Sequence, residues 1–282
     1  MHCGAIRTAA SGRSVNRRIA GTRVNPDHER SSTMSDIPNW LTPLMVFVSY
    51  GLTAALVAGT WWGAGRAGLA PGERRNAAVS VAVVLLAWQT VMLWLAQRGA
   101  FINSADQLGP QIAFAILLPV PIALALVARS SALSRVVAAV PLSALVGVQV
   151  YRTLGAVFLI LWWGGRIPGE FALPAGIGDV LVGLAAVGVA GAVASETAGA
   201  RRLTAVWNTL GAADLVIAVT MGFLTSPGLF QMFALEAPNR LVSAFPLALV
   251  PLYAVPVSFI LHALVWQRLR AERDRWNAAV AT

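Results

Sequence analysis

Three acidic or basic residues other than histidine, Arg152, Asp179 and Asp214, lie inside long apolar stretches of this 282-residue chain. A charge at the centre of a bilayer costs about 2.5 to 3.5 kcal/mol on insertion scales, so such groups face a protein interior or a wet cavity and mark a pathway or binding site. Each stands three residues from a glycine, in Arg152-x-x-Gly155, Gly176-x-x-Asp179 and Gly211-x-x-Asp214. That spacing puts charge and glycine on one helix face. The faces continue through Gly183, Ala186 and Ala190, and through Ala218 and Gly222, small residues that suit helix packing rather than lipid contact. The expectation is that the three charges meet in the outer half of a helix bundle, with Gln149, Tyr151 and Asn208 as polar neighbours. Arg152 would lie about 15 Å inside Trp162 and Trp163, Asp214 near mid-span and Asp179 nearer the periplasmic side. Two carboxylates would then face one guanidinium, leaving one to bind a proton or an external cation.

The elements that must position these residues are membrane helices. Hydrophobic residues make up 57% of the chain and charged ones 12%, about half the charged share of a soluble domain. Most apolar stretches are apolar all round, without the charged face of a helix that borders water. A window of about 20 residues, enough to cross the hydrocarbon core, marks seven spans. They run over 41–61, 77–97, 110–128, 137–163, 174–195, 205–225 and 241–266. The fourth is long and holds Pro141, so it either begins as an interfacial helix or tilts. In the seventh, Pro246, Pro251 and Pro256 recur every five residues and should bend the helix.

All 21 basic residues are Arg, as expected of codon bias in a GC-rich bacterial genome. The net charge of +9 is read as an orientation signal rather than a nucleic-acid surface. Arg66, Arg74, Arg75, Arg129, Arg135, Arg201, Arg202, Arg268, Arg270, Arg273 and Arg275 fall on one side of a seven-span topology, whereas Arg98, Arg166 and Arg240 fall on the other. The Arg-rich side is expected to be cytoplasmic, which puts the first helix's start outside, the C-terminus inside, and the protein in a bacterial inner membrane. Six arginines before Met34 would then be exported against the rule, so residues 1–33 are read as a disordered arm or as sequence ahead of the true start at Met34. Residues 34–267 form the bundle and residues 268–282 a basic cytoplasmic tail. Trp40, Trp61, Trp62, Trp94, Trp162, Trp163, Trp207 and Trp266 fall near span ends, as an interfacial belt would.

Three spans share a motif of aromatic, polar, Thr and aliphatic residues: Trp88-Gln89-Thr90-Val91, Tyr151-Arg152-Thr153-Leu154 and Trp207-Asn208-Thr209-Leu210. The last two continue into Gly-Ala, and Pro168-Gly169 with Phe171-Ala172-Leu173 is echoed by Pro227-Gly228 with Phe233-Ala234-Leu235. One helix followed by three helix pairs would fit that pattern, a layout used by membrane transport proteins.

Gly176-Ile177-Gly178-Asp179 resembles the Gly-x-Gly-Asp signature of intramembrane aspartyl proteases, with Pro246-Leu247-Ala248-Leu249 a loose echo of their Pro-Ala-Leu motif. The resemblance covers little more than those residues. It implies two aspartates that share a proton as acid and base. The family's first aspartate follows a tyrosine, whereas here Tyr151 is followed by Arg152, and Asp214 would have to substitute from the wrong side in sequence order. Other chemistries are excluded more firmly. Cys3 is the single cysteine, His262 is the single histidine in a span, there is no lysine for a Schiff base, and no His-Glu-x-x-His occurs, so no cofactor or metal is expected. His262 is read as a packed or interfacial residue near the cytoplasmic end.

The chain is therefore expected to be an all-α, seven-span membrane protein in contact with lipid and not with nucleic acid. Its leading activity is binding or transport of a small solute, proton or cation through a polar pocket of the last four helices. The alternative is a non-catalytic structural or accessory membrane subunit, and an aspartyl protease is the remote one.

Overall fold

The computed structural model describes residues 37–102 and 111–280, with the backbone alone described for 274–280. The arm of residues 1–33 and Cys3 lie outside the described residues. The chain is a bundle of seven helices long and apolar enough to cross a membrane, and no strand occurs among the described residues. The spans are Leu41–Arg66, Pro71–Gln97, Gln111–Arg129, Leu142–Trp163, Gly169–Ala194, Ala200–Thr225 and Val250–Arg273, numbered one to seven below. Helices with nonpolar residues all round satisfy their backbone internally and leave side chains to lipid. Phe47, Val83, Phe114, Leu181 and Val216 accordingly stand exposed on the outside of the bundle.

Prolines set several boundaries, and some of them correct the sequence expectation. Span four begins at Leu142 and not at 137, because Pro141 has no N–H to donate and holds Val140 in an extended conformation at ψ 127°. The residues before it form a separate helix, Ser131–Ala139, whose first turn is capped by the Ser130 hydroxyl accepting from the Leu133 N–H at 3.3 Å. Span five starts earlier than expected: Pro168 precedes the first helical residue, Gly169, and Pro174 lies inside the helix. Asp179 therefore follows the helix start by ten residues, about 15 Å, which brings it close to mid-span instead of to one end.

Span seven begins at Val250 rather than 241. Residues Leu241–Ser243 form a short 3₁₀ turn, Pro246 lies ahead of the helix, and the span opens with a π-helical segment, Val250–Ala254. Pro256 cannot donate to the carbonyl four residues back, Leu252, and the Trp88 indole N–H of span two takes its place at 3.0 Å. The helix that carries span seven continues to Val280, so residues 268–280 extend it.

Arginine–tryptophan pairs mark the helix ends, with Arg74 stacked 3.9 Å from the Trp61 ring centroid and Arg98 4.2 Å from that of Trp94. The ends of spans one and seven meet at one place. Arg66 donates to the Ala139 carbonyl at 3.3 Å, and Arg268 donates to the carbonyls of Val137, Ala138 and Val140. Trp207 departs from the expected belt: it is 4% exposed and donates its indole N–H to the Val182 carbonyl at 3.0 Å.

Candidate functional site

Span four owes its part in the site to a change of helix type. Residues Val148–Gly155 form eight residues of 3₁₀ helix, where runs longer than 3 or 4 are uncommon. At three residues per turn, Gln149, Arg152 and Gly155 stack along one line, and these three are the segment's buried residues. Gly155 lets span five approach closely, for a methyl placed there would meet the Asp179 Cβ at 2.3 Å. Gly183 brings span five against the backbone of span four in the same way, 2.5 Å from the Thr153 nitrogen. The small-residue face of span five is thus a packing face, as its spacing implies, whereas on span six a methyl at Gly222 would meet only Phe171, at 3.8 Å.

Arg152, Asp179 and Asp214 converge. The Arg152 Nε donates to Asp179 Oδ1 at 2.7 Å, and Nη2 donates to Asp214 Oδ2. Nη1 donates to the Gly211 carbonyl at 3.1 Å and to His262 Nε2 at 3.1 Å. Four of the five guanidinium N–H groups are thereby used. The arginine is 3% exposed, and the two aspartate side chains are 15% and 12% exposed, so the carboxylates rather than the guanidinium keep an open face. Among the described residues no hydrogen bond reaches Asp179 Oδ2 or Asp214 Oδ1. Asp214 reaches its position because Gly178 lacks a side chain, which would otherwise lie on its carboxylate.

His262 is the member that sequence reasoning missed. It is packed, as expected, but inside the cluster rather than at an end, about twelve residues into span seven. An arginine can only donate, so Nε2 accepts from Arg152 and Nδ1–H donates to Asn208 Oδ1 at 2.7 Å. The Asn208 amide returns a bond to the His262 carbonyl at 3.0 Å. Gly211 makes room for the ring, since a methyl there would stand 2.6 Å from His262 Cε1. The signal in the sequence was Gly211 itself, one turn after Asn208, on a helix facing the single membrane histidine.

Asn208 thus joins the cluster through His262. Gln149 and Tyr151 do not reach the carboxylates and form a neighbouring network on span seven. The Tyr151 hydroxyl lies within hydrogen-bond reach of the Ala254 carbonyl, at 2.9 Å, and of the Ser258 hydroxyl, which in turn lies 3.3 Å from Gln149 Oε1. The three motif-bearing spans play one role here despite different local helix types. Trp88, Tyr151 and Trp207 each donate to a backbone carbonyl of another helix, and the next residue, Gln89, Arg152 or Asn208, is buried.

A cavity of about 830 Å³, counted with its open mouth, lies beside the cluster among spans three to seven and the chain that follows span six. Its wall is apolar, with Phe158, Phe171, Leu215, Leu229 and Pro251 among its members, and Asp179 is its one ionisable residue among those described. The arrangement is unlike a proteolytic pair. An aspartyl acid and base share a proton between themselves, whereas Arg152 is bonded to both aspartates here. One guanidinium thus serves two carboxyl groups, and of these Asp179 is the one that lines the cavity.

No curated protein and no solved structure is significantly similar to the chain. Residues 109–270, which contain every member of the cluster and cover more than half of the sequence, match the family described as Domain of unknown function (DUF8737), and the chain belongs to that family.

Proposed function

We propose that the protein binds and carries a small solute, a proton or a cation, across a bacterial inner membrane, using Asp179 as the charged ligand and Arg152, Asp214 and His262 to position it. The observation that carries this reading is the imbalance beside the cavity: two carboxyl groups share one arginine, each keeps an oxygen without a hydrogen bond among the described residues, and Asp179 lines the cavity. A buried charge surplus is costly in lipid and is retained where a cation completes it. The Arg-rich span ends, which bring Arg66 and Arg268 to neighbouring carbonyls of residues 137–140, are the cytoplasmic face in this reading, and the exposed apolar side chains meet lipid.

A second reading has support in the pairing of Arg152. Four of its donors are satisfied inside the protein, as in an ion bridge that fixes helix register in a non-catalytic membrane subunit. Proteoliposomes separate the two. Wild-type protein should pass protons, followed by an entrapped pH dye under an imposed potential, and Asp179→Asn should abolish the flux while still assembling as a monodisperse bundle. Flux no greater than in empty vesicles, with Asp179→Asn lowering only thermal stability, would leave the structural subunit.

A further inference from the structure

We infer that the cavity takes an amphipathic monocation, a charged head on Asp179 with an apolar body among the aromatic side chains. The inference rests on the reading of Asp179 as a cation ligand and names the class of cation. A compact metal ion is poorly served here, because hard cations take six or more oxygens. Beyond Asp179 the described wall offers side-chain oxygens only from Ser226 and Ser243. A neutral lipophile would use the walls and leave the surplus charge unanswered.

A lipophilic cation uses both. Phe158 and Phe171 stack edge to face with centroids 5.1 Å apart, and Phe223 and Phe230 belong to the same wall. Apolar walls exclude water from a bound ion pair, and ring faces attract a diffuse cation. Asp179 lines the cavity while its Oδ1 is held by Arg152 and its Oδ2 receives no hydrogen bond among the described residues.

Gly222 supplies a clean way to close the cavity. It lines the wall, and a methyl placed there would meet only Phe171, at 3.8 Å, so a larger side chain can project into the space without disturbing Arg152 or the aspartates.

The probe is radiolabelled tetraphenylphosphonium, with tetraphenylborate as a body of the same shape and opposite charge, bound to the full chain in nanodiscs. Tetraphenylphosphonium should bind saturably to wild type, and Asp179→Asn and Gly222→Leu should each weaken it by about tenfold or more. Tetraphenylborate should show no saturable binding. Should Asp179→Asn fail to assemble, Gly222→Leu and the borate comparison decide. Absence of saturable tetraphenylphosphonium binding by wild type, equal binding of the borate, or indifference to Gly222→Leu would overturn the inference. If Asp179-dependent proton flux persists in that case, only the ligand class falls; if the flux is missing as well, the cation-ligand reading falls with it.

Discussion

Arg152 on span four and Asp179 on span five are joined by a 2.7 Å hydrogen bond from Nε to Oδ1, and the guanidinium continues to Asp214 on span six. One side chain therefore ties three consecutive spans together. It reaches both carboxylates because the 3₁₀ stretch aligns it with Gly155, the residue that admits span five. The bridge is a packing device and a charge device at once, and its two roles make separable predictions.

Removing the arginine leaves two carboxylates without their cation in an apolar setting. Arg152→Ala should cost about 3 to 5 kcal/mol, the loss seen when one partner of a buried pair is deleted. Arg152→Lys should recover little, since an ammonium cannot serve two carboxylates, a carbonyl and an imidazole from one planar fork. Thermal unfolding in detergent reads both; an alanine variant that melts with wild type would mean the pairing contributes nothing.

Gly178→Ala should be among the most damaging single-methyl additions in the protein. The new Cβ would collide with the Asp214 carboxylate, and overpacking of this kind costs about 1 to 3 kcal/mol. Gly188, on the same helix, has nothing within 4 Å of the corresponding position, so Gly188→Ala should be neutral or stabilising by about 0.5 to 1 kcal/mol. Opposite signs on one melting curve are expected; equal shifts would contradict the close approach.

Trp88 and Pro256 should be energetically coupled. Trp88→Phe removes the indole donor from the Leu252 carbonyl and should cost about 1 to 3 kcal/mol. In that background Pro256→Ala returns a backbone N–H four residues away and should restore part of the loss. A double-mutant cycle measures the coupling. Purely additive shifts would show that the proline and the indole do not compensate.

His262→Ala should destabilise by about 1 to 3 kcal/mol, since it strands an Arg152 donor and the Asn208 carbonyl oxygen. Asn208→Ala should approach the same value, and the pair together should cost less than the sum.

Much of this was legible before any coordinates. Seven spans follow from apolar length, and the convergence of Arg152, Asp179 and Asp214 follows from glycines three residues away, because both signals are local in sequence. Boundaries at prolines were less legible. Pro141 breaks the chain between two helices, Pro168 starts one and Pro174 sits inside one, and those outcomes depend on whether neighbouring helices satisfy the freed carbonyls. Trp207 looked interfacial by position and is buried because a carbonyl of span five accepts from it. His262 lies more than fifty residues from its nearest partner in sequence, and only the fold makes them neighbours.

On the proposed reading, the surplus negative charge sits at Asp179 and faces the cavity. Val219 lines the same wall and offers a reporter position. In a Cys3→Ser background, Val219→Cys would be modified with methanethiosulfonate reagents carrying either an ammonium or a sulfonate, with each rate normalised to that of a free thiol in solution. The cationic reagent should be favoured at least severalfold, and adding Asp179→Asn should remove that preference. Equal normalised rates, or a preference that persists without Asp179, would contradict the claim.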